Sequence, residues 1–275
     1  MDERSEHDTE VEQLWKTYLT TGELVKERRQ RVFFRMLPGS PRCKNCYAPF
    51  GGLGSTIVRL AYGKYPSNMN PTLCNVCEQF ARKYQGGAEV ELSLLFADVR
   101  GSTALSEQMS PMAYSKLINR FYKTVTKIMV QSDALIDKII GDQVAAMYVP
   151  GFAGPAHAQR AIETAKEILR ATGHTQVDGP WIPIGIGIHT GIAFVGAVGS
   201  EDGTSDITVL GDTANTAARL STAARQGEIL ISDAAYKSAD GYPGEIQTRR
   251  IELKGKSDLA FVHVLSLENH PELER

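Results

Sequence analysis

Hydrophobic positions along the chain fall into two textures. Before residue 87 they are grouped: Val11, Leu14, Trp15, Tyr18 and Leu19 recur at three- and four-residue spacing, and Leu24, Val25, Val32, Phe33 and Met36 form a second set. This spacing predicts helix over 11–36, weakened at Gly22 and ended by Pro38-Gly39-Ser40-Pro41. The polar residues 1–10 carry no such pattern and are expected to be unstructured.

From Glu89 strands and helices alternate. Residues 91–97 read as a strand. Ser110-Pro111 opens a helix with Tyr114, Leu117, Ile118, Phe121, Tyr122 and Val125 on its apolar face. Residues 135–140 and 143–149 read as strands joined by a tight turn at Gly141-Asp142. A loop at 150–155 precedes a helix bearing Ala158, Ala161, Ile162, Ala165 and Leu169. Ile182, Ile184, Ile186 and Ile188 alternate, which is the period of a half-buried strand. Residues 192–198 are expected to return as its hairpin partner after Thr190-Gly191. A strand at 206–210, a helix opened by Gly211-Asp212-Thr213 and running to about 224, and strands at 228–232, 247–253 and 260–266 complete the pattern. It predicts an α+β fold, with helices packed on a mainly antiparallel sheet.

The division expected is a tail and helical segment (1–37), a cysteine-bearing module ending in a Gly86-Gly87 linker (38–87), a main domain (88–268) and a short tail (269–275). Hydrophobic content of 42%, charged content of 23% and a net charge of −2 are those of an ordinary globular protein. They give no global attraction to nucleic acid or membrane. No apolar run approaches the ~20 residues that span a bilayer, and MDERSEHDTE lacks the apolar region of a secretion signal. A cytoplasmic location is expected, where cysteines act as ligands more often than as disulfides.

Two carboxylates stand at strand edges, Asp98 in LLFAD and Asp142 in IIGD. A bare carboxylate beside a core strand is costly without compensation. Two brought together make a hard oxygen site suited to Mg²⁺. Asp98 is followed by Gly101, Ser102 and Thr103 at a helix start, where free N–H groups can face phosphate oxygens. Each aspartate alone reads equally as a helix cap or turn former.

The segments FADVRGST (96–103), KIIGDQ (138–143), IGIHTGIAFVGAVGS (186–200) and ITVLGDTANTAARL (207–220) occur in this order. Together, over roughly residues 90–267, they resemble the catalytic domain of class III adenylate and guanylate cyclases. The resemblance implies a ferredoxin-like cyclase fold, preceded here by a helical segment and a small Cys₄ module. It implies that Asp98, Asp142 and the Val99 carbonyl hold two Mg²⁺ or Mn²⁺ ions over a nucleoside triphosphate. Asn215 and Arg219 match the family's transition-state pair, and their i, i+4 spacing puts both on one helix face. Lys138 and Thr208 match the base-reading positions and resemble the Lys/Thr adenylate cyclase branch. Lysine can only donate, which suits adenine N1 and not guanine N1–H. Asp206 lies nearby, but the register counted from GDTAN assigns the position to Thr208. Lys254 resembles the lysine on the β- and γ-phosphates, with Lys256 its nearest competitor. His189 faces away from the isoleucines and reads as a hydrogen-bonded strand residue. The family divides each site between two subunits, so a homodimer is implied, with ATP as substrate and cyclic AMP and pyrophosphate as products.

Cys43-x₂-Cys46 and Cys74-x₂-Cys77 account for all four cysteines and can complete a tetrahedral Cys₄ shell. Zn²⁺ is the ion expected there, with an iron–sulfur cluster as the alternative, since both accept a Cys₄ shell. Lys26, Arg28, Arg29, Arg31, Arg35, Arg42 and Lys44 form a basic stretch, read as a solvated helix face or dimer contact, with a nucleic-acid or anionic-membrane contact as the alternative. Three other readings of the whole stay open: a catalytically silent nucleotide sensor, a cyclase of another base, and a zinc-bearing nucleic-acid-binding regulator.

Overall fold

The computed structural model describes residues 3–22, 28–43, 45–68, 71, 73–199, 205–241, 246–252 and 259–267. Four helices come first: α1 (Glu3–Thr21), α2 (Arg28–Met36), α3 (Gly52–Tyr62) and α4 (Asn75–Lys83). The expected unstructured N-terminus is therefore helix from Glu3 onward. Acidic residues at a helix start suit its dipole, which a reading of apolar spacing alone overlooks. Helix α1 ends at Gly22, whose φ is +69°.

The remaining elements are β1 (Gly86–Val99), α5 (Ser102–Gln108), α6 (Pro111–Gln131), β2 (Leu135–Ile140), β3 (Gln143–Tyr148), α7 (Pro150–Ala153), α8 (His157–Ala171), β4 (Ile184–Gly199), β5 (Ser205–Leu210), α9 (Asp212–Ala223), β6 (Glu228–Ser232), α10 (Asp233–Ser238), β7 (Gln247–Ile251) and β8 (Ala260–Ser266). The eight strands form one sheet in the order β2-β3-β1-β4-β6-β8-β7, with β5 also paired to β4. Every pairing is antiparallel except β4 with β6. The unit β1-α6-β2-β3-α8-β4 with strand order β2-β3-β1-β4 is the ferredoxin-like arrangement.

Two expectations at the sheet's centre are corrected. Gly86-Gly87 is not a linker but the start of β1, with Gly87 opposite Gly196. A Cβ on Gly87 would lie 2.4 Å from the Val195 carbonyl oxygen, so the two backbones approach because neither carries a side chain. The expected hairpin at Thr190-Gly191 is absent, and β4 runs through it as one strand. It pairs along its length with β1, from Val99↔Ile184 to Gly86↔Ala197. A fourteen-residue neighbour supplies a continuous ladder, which overrides the local turn signal. The loop expected at 150–155 holds the short helix α7.

Strand alternation divides the core. Leu95, Ala97, Val99 and the four isoleucines of 182–188 face α6, α8 and α10. Leu92, Leu94 and Phe96 face the other way, in one cluster with Trp15, Tyr18, Phe34 and all four cysteines. The N-terminal helices and cysteine module thus cover part of the sheet. Trp15 Nε1 donates to the Tyr84 carbonyl at 2.9 Å, and the Tyr18 ring meets Phe152 edge-on at 5.2 Å. Each fully buried isoleucine contributes about 2 kcal/mol of hydrophobic stabilisation. Among the described residues, no helix is long and apolar enough to cross a membrane.

Beyond α8, His174 is buried. Its Nε2 accepts from Ile184 N–H at 3.3 Å, and Nδ1 lies 3.3 Å from the Leu169 carbonyl as donor. This ring must stay neutral, and burial holds its pKa down at about 4. The unfolded chain binds the proton nearer 6.5, so stability is present above that pH and is lost as pH falls towards 4. The loss amounts to about 3 kcal/mol at most. Denaturant titrations between pH 7 and 4.5 should show a flatter acid slope for His174→Gln than for wild type. Parallel slopes would remove His174 as the cause.

Candidate active site and cysteine cluster

Asp98 closes β1 opposite Gln143, and the Val99 N–H donates to the Asp142 carbonyl at 3.1 Å. The ladder thus ties together the backbones that carry the two expected metal carboxylates. Asp98 is 8% exposed. Burial pushes its carboxyl up, Arg100 pulls it down, and the Asp142 charge raises it again. Two mutually repelling carboxylates that hold a cation's charge nearby are what a divalent ion requires. The cation present is Arg100, which pairs with Asp98 Oδ2 and also donates to the Thr222 carbonyl on α9 at 2.8 Å. Sequence reading passed over Arg100. Its signal was a cation two residues beyond Asp98, in the turn that follows β1.

Helices brace the loops around this pair. The Tyr122 hydroxyl on α6 donates to the Gly141 carbonyl, holding the β2–β3 turn that ends in Asp142. Gly101 is the N-cap of α5, with Ser102 and Thr103 in its first turn.

The base-reading candidates also converge. Thr208 lies on β5 opposite Gly196, and its hydroxyl donates to Asp137 Oδ1 at 2.7 Å. Lys138 Nζ lies 3.6 Å from Asp137 Oδ2. Asp137 therefore joins two residues seventy positions apart, and sequence reading missed it. Its only signal was an acidic residue inside the apolar run of β2.

Asn215 and Arg219 lie one turn apart on α9, Asn215 exposed and Arg219 half-buried. Helix α9 rests directly on β4. A Cβ on Gly187 would lie 2.2 Å from Ser221 N and 2.6 Å from the Ala217 carbonyl. The glycines of IGIGIHTG form a flat strip that admits the helix backbone. His189, on that face, contacts Ser232 Oγ at 2.8 Å through Nδ1, as a strand residue with a hydrogen bond. Among the described residues, no hydrogen bond or ion pair joins Asp98 or Asp142 to Lys138, Thr208, Asn215 or Arg219. Lys254 and Lys256 lie outside the described residues, as does the side chain of Asp206.

The cysteines form the second centre. All four are buried and unbridged, and their sulfurs lie within 4.8 Å of one another. Cys46 and Cys74 Sγ are 3.8 Å apart. A tetrahedron with ~2.3 Å Zn–S bonds has edges of about 3.8 Å. Backbone N–H groups of Cys74 and Cys77 point at Cys43 and Cys74 Sγ, at 3.2 and 3.4 Å. Burial holds Cys43 up as a thiol, while hydrogen bonding from Cys43 draws Cys46 and Cys74 down towards thiolate. Hydrogen bonding from Cys43 holds Cys77 up as well, so all four become thiolates together only around a cation.

The basic stretch is partly spent internally. Arg42 donates to the Phe34, Leu37 and Tyr47 carbonyls, and Arg35 lies over the Tyr47 ring. Lys26 and Lys44 lie outside the described residues, as do the side chains of Arg28, Arg29 and Arg31.

Comparison with known proteins agrees with the fold. A family model described as the adenylate and guanylate cyclase catalytic domain matches residues 86–266. An adenylate cyclase of Anabaena cylindrica is 30% identical over 183 residues, covering 62% of this chain and 36% of that protein. The chain spans about a third or less of the length of the first curated relatives it matches. The guanylyl cyclase Cya2 superposes with a TM-score of 0.59 at 25% identity, over 65% of this chain and 93% of that structure. The adenylyl cyclase CyaB from P. aeruginosa gives 0.55 at 30% identity, over 65% and 95%.

Proposed function

The chain belongs to the adenylate and guanylate cyclase catalytic-domain family, and on that footing we propose that it is an adenylate cyclase working as a homodimer. The observation that carries the cyclase reading is the placing of Asp98 beside Asp142, with the Val99 N–H bonded to the Asp142 carbonyl and the Asp142 charge acting on the buried Asp98 carboxyl. Their oxygen-only donor set, with the Val99 carbonyl, fits Mg²⁺ or Mn²⁺. Those ions, when bound, lower the pKa of the ribose 3′-hydroxyl and offset phosphate charge.

The chain's own groups do the rest. Arg100 must release Asp98 for the site to load, so it keeps the carboxylate neutralised until then. Asn215 orients the ribose, and Arg219 offsets charge developing at the α-phosphate as the 3′-oxygen attacks and pyrophosphate leaves. Gly101, Ser102 and Thr103 turn backbone towards the phosphates, and Lys254 binds the β- and γ-phosphates. Lys138 and Thr208 read the base. Lys138 has only donors, which match adenine N1 and meet a proton at guanine N1. We assign the Cys₄ cluster to a structural Zn²⁺, which its sulfur spacing fits, with an iron–sulfur cluster as the alternative that a spectrum separates. The catalytic unit on this reading is residues 86–266, two residues earlier at its start than the sequence suggested because β1 begins at Gly86, in a cytoplasmic enzyme.

Incubation with each nucleoside triphosphate and Mn²⁺ or Mg²⁺, followed by product identification, tests the reading. Cyclic AMP and pyrophosphate in equal amounts are expected. Cyclic GMP as the main product would overturn the ATP assignment, and binding of ATP without any cyclic product would overturn the enzyme.

A further inference from the structure

Strand β2 is irregular at one place. Ile136 stands opposite Ala146 and Lys138 opposite Ala145, so Asp137 is an extra residue with no partner on β3. Such a bulge re-aims side chains and is found beside active sites. Here it lets consecutive residues 137 and 138 approach each other, where a regular strand would send them to opposite faces. The Asp137 side chain is 1% exposed and lies against β5. Oδ1 accepts from the Thr208 hydroxyl at 2.7 Å and from the Val209 N–H at 3.3 Å. Oδ2 has no hydrogen-bond partner and lies 3.6 Å from Lys138 Nζ. A buried carboxylate oxygen left in this way is rare enough to need a reason.

We propose that Asp137 is the positioning residue that sets the hydrogen-bond polarity of the base-reading pair, and thereby selects adenine. This rests on the adenylate cyclase reading above. A hydroxyl has one proton. Given to Asp137, it leaves Thr208 Oγ1 with lone pairs only, so Thr208 faces the substrate as an acceptor. That suits the 6-amino group of adenine and repels the 6-oxo group of guanine. Lys138, drawn alongside by Oδ2, keeps its protons for N1. The edge presented is acceptor beside donor, complementary to adenine and mismatched at both positions with guanine. A carboxylate is needed because Oδ1 accepts from the Thr208 hydroxyl and the Val209 N–H while the charge on Oδ2 faces the Lys138 ammonium as an ion pair. An amide has one oxygen, so in Asp137→Asn either Thr208 or Lys138 loses its orientation.

The test measures kcat/KM for ATP and for GTP on the same preparation. Asp137→Asn should lower the ATP:GTP ratio at least about tenfold, chiefly through KM for ATP, because mispaired polar groups discriminate strongly. A merely structural residue would lower both substrates together and leave the ratio intact, and that result overturns the proposal. Adding Asp137→Asn to Thr208→Val should lower the ratio less than Asp137→Asn does in wild type, since the part that acts through the hydroxyl is already gone. A further drop of similar size would overturn this route. If Asp137→Asn does not fold, wild type and Thr208→Val are compared on ATP and on the triphosphate of purine riboside, which lacks the 6-amino group. Wild type should prefer ATP at least about tenfold and Thr208→Val should lose that preference. A wild type indifferent to the amino group sinks the idea. Failure of the function itself looks different: wild type then makes no cyclic AMP, whatever the variants do.

Discussion

Asp98→Ala is expected to lower cyclic AMP formation on the order of a thousandfold, the scale of losing a group that acts mainly on transition-state charge. Asn215→Ala should also be severely impaired. Neither change touches the core clusters, so both variants should keep wild-type thermal midpoints. Mixed in equal amounts and allowed to exchange subunits, they should recover about a quarter of wild-type activity. Half of the dimers are then mixed, and each mixed dimer holds one intact site of two. Among the described residues, no hydrogen bond or ion pair joins Asp98 to Asn215 within one chain, in keeping with a site divided between subunits. Recovery that stays at the sum of the two single variants would refute the divided site.

Cys74→Ser should reduce bound metal from one ion per chain to none. It should also destabilise the protein by more than ~3 kcal/mol, a fall of roughly 6–12 °C for a chain of this size. The effect should reach the sheet, because the four cysteines share a buried cluster with Leu92, Leu94 and Phe96 of β1. Elemental analysis and calorimetry measure both quantities. Absorbance at about 400 nm or above identifies an iron–sulfur chromophore, whereas a colourless metal-loaded protein supports zinc. A variant that keeps full metal content and wild-type stability would remove the cluster from the structural account.

The parts of the fold legible in sequence were those written in local period. The isoleucines of β4, the apolar stripe of α6 and the Ser110-Pro111 start report their element without outside information. Thr190-Gly191 misled because a turn signal is local, whereas the ladder to β1 that overrides it is assembled from residues about a hundred positions away. The same distinction runs through the site. Lys138 and Thr208 could be named from motif spacing, but Asp137 could not, because its role depends on a bulge that only the pairing of β2 with β3 creates. Arg100 stands near Asp98 in the sequence, but its bond to Thr222 on α9 depends on packing across more than a hundred residues. Helices α3 and α4, eleven and nine residues long, leave an apolar period little length in which to show.

The glycine strip beneath α9 bears on how this protein can drift. Gly185 and Gly187 have no side chain to offer a nucleotide, and both lie on the face of β4 where α9 and its C-cap rest. Yet a side chain at Gly187 must displace the helix, whose backbone obstructs it, and one at Gly185 must displace Ala224 and Arg225 at and just beyond the helix's C-cap. Asn215 and Arg219 ride on that helix, and a shift of about 1 Å can cost a hundredfold in rate. Changes at these glycines would therefore register as lost catalysis before lost folding. A mutational survey scored on activity alone would list them among the catalytic residues, although they contribute only the absence of an atom.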